Sequence, residues 1–128
     1  MVDTRIQKGS LTDQVLGLAI EVHKTLGPGL LESAYEECLC YELGQSGLNH
    51  NRQVHLPVMY KGIKLECGYR VDIVVEDSLI IEVKAVNAMQ PIYEAQILTY
   101  LKLTGIKTGL LINFNVPLLK DGIKRIVY

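Results

Sequence analysis

Two hydrophobic runs, separated by three polar residues, carry charges that a buried strand does not tolerate unaided. The first reads Tyr69-Arg70-Val71-Asp72-Ile73-Val74-Val75 and the second Leu79-Ile80-Ile81-Glu82-Val83-Lys84-Ala85, with Glu76-Asp77-Ser78 between them. Their Val and Ile content marks both as buried strands. An unpaired carboxylate in such a strand costs several kcal/mol or is forced neutral. Three ionisable groups inside two apolar strands therefore constrain how those strands meet.

Parity makes the constraint geometric. If Glu76-Asp77-Ser78 is a three-residue hairpin loop, Val75 pairs with Leu79, and Asp72 stands opposite Glu82. Opposite residues of an antiparallel pair face the same way, with Cβ atoms about 4.5–5.5 Å apart. Lys84 lies two residues beyond Glu82 and shares its face. A two-residue loop would pair Asp72 with Ile81 and disperse the cluster. Two carboxylates gathered in this way are a natural seat for a metal ion. An ion pair of Lys84 with Asp72 or Glu82 on a solvated face satisfies the spacing equally well.

The rest of the chain supplies the frame. Leu11, Val15, Leu18, Val22 and Leu26 recur at helical spacing, with Ser10 and Asp13 as a capping box and Gly27-Pro28-Gly29 as the stop. A second helix is expected from about Leu30 to about Gln45, ended by Gly44 or Gly47. Gln53 to Tyr60 alternates as a strand in which Pro57 implies an edge or a bulge. After the Lys61-Gly62 turn, Ile63 to Val75 forms a longer strand bent at Gly68, and Leu79 to Val86 is apolar enough to be central. Pro91 opens a third helix that stops at Gly105. Lys107 to Phe114 and Ile123 to Tyr128 are the last strands. The expected class is α/β with the order α-α-β-β-β-α-β-β. Its mixed sheet is flanked by helices, and the third helix serves as a crossover to a parallel neighbour.

Composition limits the alternatives. The 128 residues are 48% hydrophobic and fit a single domain, 1–128, with a real core. No apolar stretch reaches the roughly 18–20 residues of a membrane span. Met1 to Arg5 lacks a signal-peptide pattern. Cys38, Cys40 and Cys67 form no CxxC and read as reduced, mostly buried thiols of a cytoplasmic protein, with Cys67 open to exposure and reactivity. The net charge of −1 exerts no global pull on nucleic acid, so any such binding rests on a local patch. There is no glycine-rich phosphate loop, which ranks an enzyme of small phosphorylated molecules last.

Further residues could join the cluster. Glu32 begins the second helix and shares a face with Tyr35, Glu36 and Leu39. Its carboxylate either adds a ligand to Asp72 and Glu82 or only favours the positive helix end. Glu36 and Glu37 are read as solvated. Gln96 and Tyr100 share a face of the third helix. A glutamine there is usually a surface residue, but its amide can also reach a phosphate or a lysine. Tyr100 is usually a core side chain with a polar tip. His23, His50 and His55 have no metal spacing and are read as bystanders.

Asp72-(x9)-Glu82-x-Lys84 resembles the core motif of the PD-(D/E)xK nuclease superfamily, and Gln96-(x3)-Tyr100 resembles the extra motif of its exonuclease branch associated with recombination helicases. Gly29…Glu32…Tyr35-Glu36 and the ending Ile123-Lys124-Arg125-Ile126-Val127-Tyr128 are similar to a small bacterial and archaeal family named GxxxExxY. The likeness runs from about Leu16 to Tyr128. Val71 replaces the motif's proline, and Pro28 stands where the family name has its glycine. The resemblance implies a restriction-endonuclease-like core with Mg²⁺ or Mn²⁺ held by Glu32, Asp72, Glu82 and the carbonyl of Val83. It implies Lys84 orienting the attacking water or stabilising the phosphorus centre, and Gln96 and Tyr100 holding Lys84 or the scissile phosphate. The implied activity is metal-dependent hydrolysis of nucleic acid, DNA first. The alternative is an inactive module of the same fold that binds nucleic acid or a protein partner. A homodimer would lengthen the substrate groove, through the tail Ile123–Tyr128 or the edge near Val54–Tyr60.

Overall fold

A computed structural model describes residues 10–128, and for Cys67 the backbone alone. The reading of Met1 to Arg5 and the exposure of Cys67 lie outside the described residues. The elements run α1 (Leu11–Leu26), α2 (Glu32–Gln45), β1 (His50–Tyr60), β2 (Ile63–Val75), β3 (Leu79–Lys84), α3 (Pro91–Thr104), β4 (Thr108–Asn113) and β5 (Ile123–Val127). A short 3₁₀ turn, Leu119–Gly122, precedes β5 and was not anticipated. The sheet is mixed, in the order β1-β2-β3-β4-β5. β3 and β4 are parallel, joined by α3 as crossover, and every other pair is antiparallel. β3, the most apolar strand, is the central one.

Strand alternation builds a three-layer sandwich. Ile73, Val75, Leu79, Ile81, Val83, Leu110 and Ile112 meet α1 and α2 through Val15, Ala19, Val22, Tyr35, Leu39 and Leu43. On the other face, Val74, Ile80 and Leu111 meet α3 through Ile97, Tyr100 and Leu101. β3 is thus buried on both sides, and a charge at its end has protein on each face.

Several local devices fix the geometry. The Asp13 N–H donates to Ser10 Oγ at 3.2 Å, capping α1. α2 begins two residues later than expected because Leu30 belongs to the preceding turn. The Tyr35 hydroxyl accepts from the Leu30 N–H and donates to the Gly27 carbonyl, and its ring stacks on Phe114 at 4.5 Å. The loop Glu76-Asp77-Ser78 has the expected three residues. Glu76 and Asp77 both take positive φ, and Glu76 and Asn49 bond each other, the Glu76 N–H to the Asn49 carbonyl and the Asn49 N–H to the Glu76 carboxylate.

β1 starts three residues earlier than expected and, with β2, outruns the six-residue β3. Residues 56–69 of this hairpin form a two-stranded ribbon beyond the sheet. The register slips between Leu56 and Val58, at Pro57, where Glu66-Cys67-Gly68 bulges opposite. Gly68 at φ 78° supplies the left-handed conformation that this bulge requires.

Candidate metal centre

The ladder between β2 and β3 runs Val75↔Leu79, Val74↔Ile80, Ile73↔Ile81 and stops. The next pair in that register is Asp72 and Glu82, and side chains replace the ladder there. The Asp72 N–H donates to Glu82 Oε2 at 2.8 Å, and the Val83 N–H donates to Asp72 Oδ2 at 2.8 Å. Each carboxylate is wedged against the other strand's backbone. Asp72 Oδ1 and Glu82 Oε1 have no hydrogen bond among the described residues, and no buried side-chain oxygen there is unpartnered, so both are open to solvent.

A matched kink in β1 and β2 makes room for this. Ile73 faces α1 and α2, and its partner Arg52 reaches Glu36 of α2. Two residues along, Val71 and its partner Val54 pack on the α3 side. Alternation would have kept both pairs on one face, so the change of face occurs at Gln53 and Asp72. Gln53 takes φ 56°, a left-handed conformation inside a strand. Asp72 is thereby aimed at the seam between β2 and β3.

Electrostatics follow from the burial. The Asp72 carboxyl is pushed up to about 6, chiefly by burial and further by Glu36 and Glu32, against the opposing Val83 N–H and Lys84. Glu82, only 5% exposed, is pushed up to about 8 by burial and then by the Asp72 charge, against the Asp72 N–H and Lys84. Two acids facing each other out of water each favour the protonated form.

Lys84 lies on the Glu82 face, as parity requires, but it makes no ion pair with Asp72 or Glu82 within 4.0 Å among the described residues. Its ammonium instead stands 4.5 Å from the centre of the Tyr93 ring. The solvated ion-pair arrangement is therefore absent. Tyr93 was not singled out from the sequence, although it lies three residues before Gln96 on the same helix face. The end of β3 is pinned through β4. Phe114 N–H donates to the Lys84 carbonyl, while the Asn113 amide accepts from the Val86 N–H and donates to the Val86 carbonyl. Tyr100 is buried against this region, and its hydroxyl is pushed up to about 12 by burial and then by Glu82 and Asp72, so it remains a neutral phenol. Gln96 is half-buried and bonds neither Lys84 nor any other described residue. It lines a hollow of about 230 Å³ with Tyr69, Ile92, Ala95, Thr99 and Tyr100.

Glu32, the first residue of α2, accepts the Ala85 N–H at 3.3 Å and so sits beside the end of β3. Tyr35 anchors the turn that delivers it. Glu36 departs from expectation. It is buried rather than solvated, accepting from Arg52 Nε at 2.5 Å and from the Gln53 amide at 2.9 and 3.0 Å. The kink at Gln53 lets two consecutive strand residues reach the same carboxylate. Glu37 is exposed, as expected. His23 is buried, with Nε2 2.8 Å from the Val116 carbonyl, a structural contact. Cys38 and Cys40 are free and half-buried, and burial pushes the Cys40 thiol up to about 11.

Among the described residues, no three His, Cys, Asp or Glu side chains lie close enough together to hold a metal ion. Mg²⁺ does not require three, since it binds commonly through one or two carboxylates and keeps several waters. The donor set fits that habit: two hard carboxylates, each with one free oxygen, and a backbone carbonyl. Because the N–H and C=O of one strand residue point to the same side, the Val83 carbonyl faces the Asp72 seam beyond the last ladder pair. A larger hollow, about 450 Å³, lies by the α1–α2 turn near Ile20, Lys24, Pro28, Leu118 and Lys120, and includes none of the carboxylates. Among the described residues no helix is long and apolar enough to cross a membrane.

No curated protein sequence matches the chain. Among solved structures, an alkaline exonuclease from Laribacter hongkongensis superposes with a TM-score of 0.50 at 17% identity, covering 92% of this chain and 70% of its own, which supports the fold. A protein designated SSO0001 matches at a TM-score of 0.42 and 19% identity over 92% of this chain and 76% of its own, too distant to weigh. Residues 9–126 match the family described as the PD-(D/E)XK nuclease superfamily, and the chain belongs to that superfamily.

Proposed function

We propose that the chain is a Mg²⁺- or Mn²⁺-dependent nuclease that hydrolyses phosphodiester bonds in DNA, of the GxxxExxY branch. The observation that carries this reading is the reciprocal Asp72–Glu82 arrangement, with, among the described residues, one oxygen of each carboxylate outside any hydrogen bond and a lysine on the Glu82 face outside any ion pair. Buried like charges with raised pKa values are costly unless a cation joins them.

Asp72, Glu82 and the Val83 carbonyl would hold the cation, with Glu32 at the rim. When bound, the cation supplies charge that activates water and offsets the charge building on the phosphate. Hydrolysis forms one P–O bond from water and breaks the bond to the leaving oxygen, which takes up a proton. Lys84, which pairs with no carboxylate among the described residues, orients the water or holds the phosphate oxygens. Tyr93 holds the ammonium by its ring face, which offers no competing anion.

The alternative, a non-catalytic module binding nucleic acid or a protein partner, draws on the lack of a converged three-residue ligand set among the described residues. Calorimetric titration with Mn²⁺ beside Glu82→Gln, followed by plasmid and oligonucleotide cleavage, separates the two. Metal binding and cleavage that both vanish in the variant support the nuclease. Wild-type protein that neither binds metal nor cleaves supports the module.

A further inference from the structure

The hollow that Gln96 lines lies where the β1–β2 ribbon passes α3, next to the metal centre. Its walls are the Tyr69 ring from the ribbon and Ile92 and Ala95 from α3; Gln96, Thr99 and Tyr100 add polar groups. The Thr99 hydroxyl donates to the Ala95 carbonyl, while the Gln96 amide bonds no described residue. An apolar slot with an aromatic wall and an amide that both donates and accepts matches a nucleobase, which has flat faces and a polar edge.

The ribbon extends that slot outward. Register places Leu56 with Tyr69, Val58 with Leu65 and Tyr60 with Ile63. Alternation along β1 sets Leu56, Val58 and Tyr60 on one face, so an apolar stripe runs from the α3-side core into solvent. Tyr60 is 56% exposed, Ile63 59% and Tyr69 42%, more apolar surface than a free ribbon normally leaves open. On this segment Lys64 pairs with Glu66 at 3.7 Å, and alternation turns both Lys64 and Arg70 to the face opposite the stripe, so Lys61, 5.4 Å from the centre of the Tyr60 ring, is the cation at the stripe's outer end. Arg70 is two residues from Asp72.

We infer that the Tyr69–Gln96 hollow seats an unpaired base of the substrate and that the ribbon carries the adjoining single strand, its bases on the apolar stripe and its backbone leading toward Lys61 at the ribbon's tip. Single-strand sites seat successive bases on aromatic platforms in this way. A duplex, whose bases are stacked away from such a face, leaves both unused. The inference rests on the nuclease reading for its substrate and names the class: nucleic acid with an unpaired strand at the cut.

Fluorescence anisotropy with a labelled oligothymidylate and a matching short duplex, at fixed salt in chelator, tests it without turnover. Wild type should bind the oligothymidylate about tenfold more tightly than the duplex, and Tyr69→Ala should lose about tenfold on the single strand alone. Tyr69→Phe, which keeps the ring, should retain the preference, so loss in the alanine variant is not mistaken for misfolding. Equal or tighter duplex binding overturns the inference, as does Tyr69→Ala with undiminished affinity. It is also overturned if Tyr60→Ala and Ile63→Ser turn a dimer into a monomer while strand affinity is unchanged, since the stripe would then belong to a second copy. The same two substrates with Mg²⁺ keep the readings apart. Strand preference without cleavage defeats the nuclease and leaves the seat; cleavage without strand preference does the reverse.

Discussion

The backbone N–H of Asp72 and the carboxylate of Glu82 are joined at 2.8 Å, one pair beyond the end of the ladder between β2 and β3. The exchange locks the Glu82 rotamer to the strand opposite and leaves its charge out of water. Two side-chain bonds thus hold both carboxylates at the end of the ladder.

That charge makes the metal-free protein weaken as pH rises. Glu82 moves from its ordinary 4.5 to about 8, and Asp72 from 3.8 to about 6. A raised carboxyl contributes stability that is complete below the unfolded value and is lost as pH climbs through the folded one. Wild type in chelator should therefore soften between mildly acidic pH and about pH 8, with the Asp72 part lost first. Glu82→Gln keeps an acceptor for the Asp72 N–H and removes the charge. It should be more stable than wild type at pH 8 by on the order of 2–4 kcal/mol and show a flatter profile. Adding Mn²⁺ should raise the melting temperature of wild type but not of the variant. Denaturant melts across this range decide it, and a wild type equally stable at both ends removes the buried charge from the account.

The Val75↔Leu79 pairing was legible because a three-residue loop leaves only one parity, and Asp72, Glu82 and Lys84 follow from it. The order of elements and the central place of β3 were legible from the apolar runs. Glu36 was not. Helical spacing put it on the Glu32 face, but nothing nearby in sequence offered a counter-ion. Its partners, Arg52 and Gln53, reach it through a positive φ at Gln53 that no glycine announces. Tyr93 was missed because a tyrosine at helical spacing is usually core, and its ring acts here through its face toward Lys84 rather than through its hydroxyl. Both omissions concern contacts between elements, which local pattern does not encode.

Glu36 and Arg52 should behave as an asymmetric pair. Arg52→Met removes the main counter-charge of a buried carboxylate and should destabilise by roughly 1–3 kcal/mol, discounted because the guanidinium is 37% exposed. Adding Glu36→Gln removes the stranded charge, and the double variant should recover at least half of that loss. Chemical denaturation of the four proteins gives the cycle. Simple additivity would mean that the two side chains do not depend on each other.

Gly122 tests how the end of β4 sets the site. A Cβ there would collide with the Asn113 carbonyl oxygen, a backbone atom that cannot swing away. Gly122→Ala should destabilise by roughly 2–4 kcal/mol, in the range of overpacked cores. Because Asn113 holds Val86, the strain should also shift Lys84, and residual cleavage should fall further than the lost stability explains. A folded variant with normal cleavage would separate the two.

Lys84 gives the sharpest division between binding and turnover. Its ammonium opposes the raised carboxyls from a distance, and among the described residues it makes no ion pair. Lys84→Ala should therefore keep the Mn²⁺-dependent rise in melting temperature and lose cleavage by about 100-fold or more, the scale of a single electrostatic group at a reacting centre. Tyr93→Leu leaves the charge but removes its platform. A cation over a ring at a partly exposed site is worth about 0.5–1 kcal/mol, so the loss should be about two- to fivefold, with Tyr93→Phe near wild type. Single-turnover cleavage beside thermal melts in Mn²⁺ measures both quantities on the same proteins. If Lys84→Ala instead abolished the metal-dependent stabilisation, the lysine would be arranging Asp72 and Glu82 for the cation, and its place in the reaction would have to be reassigned.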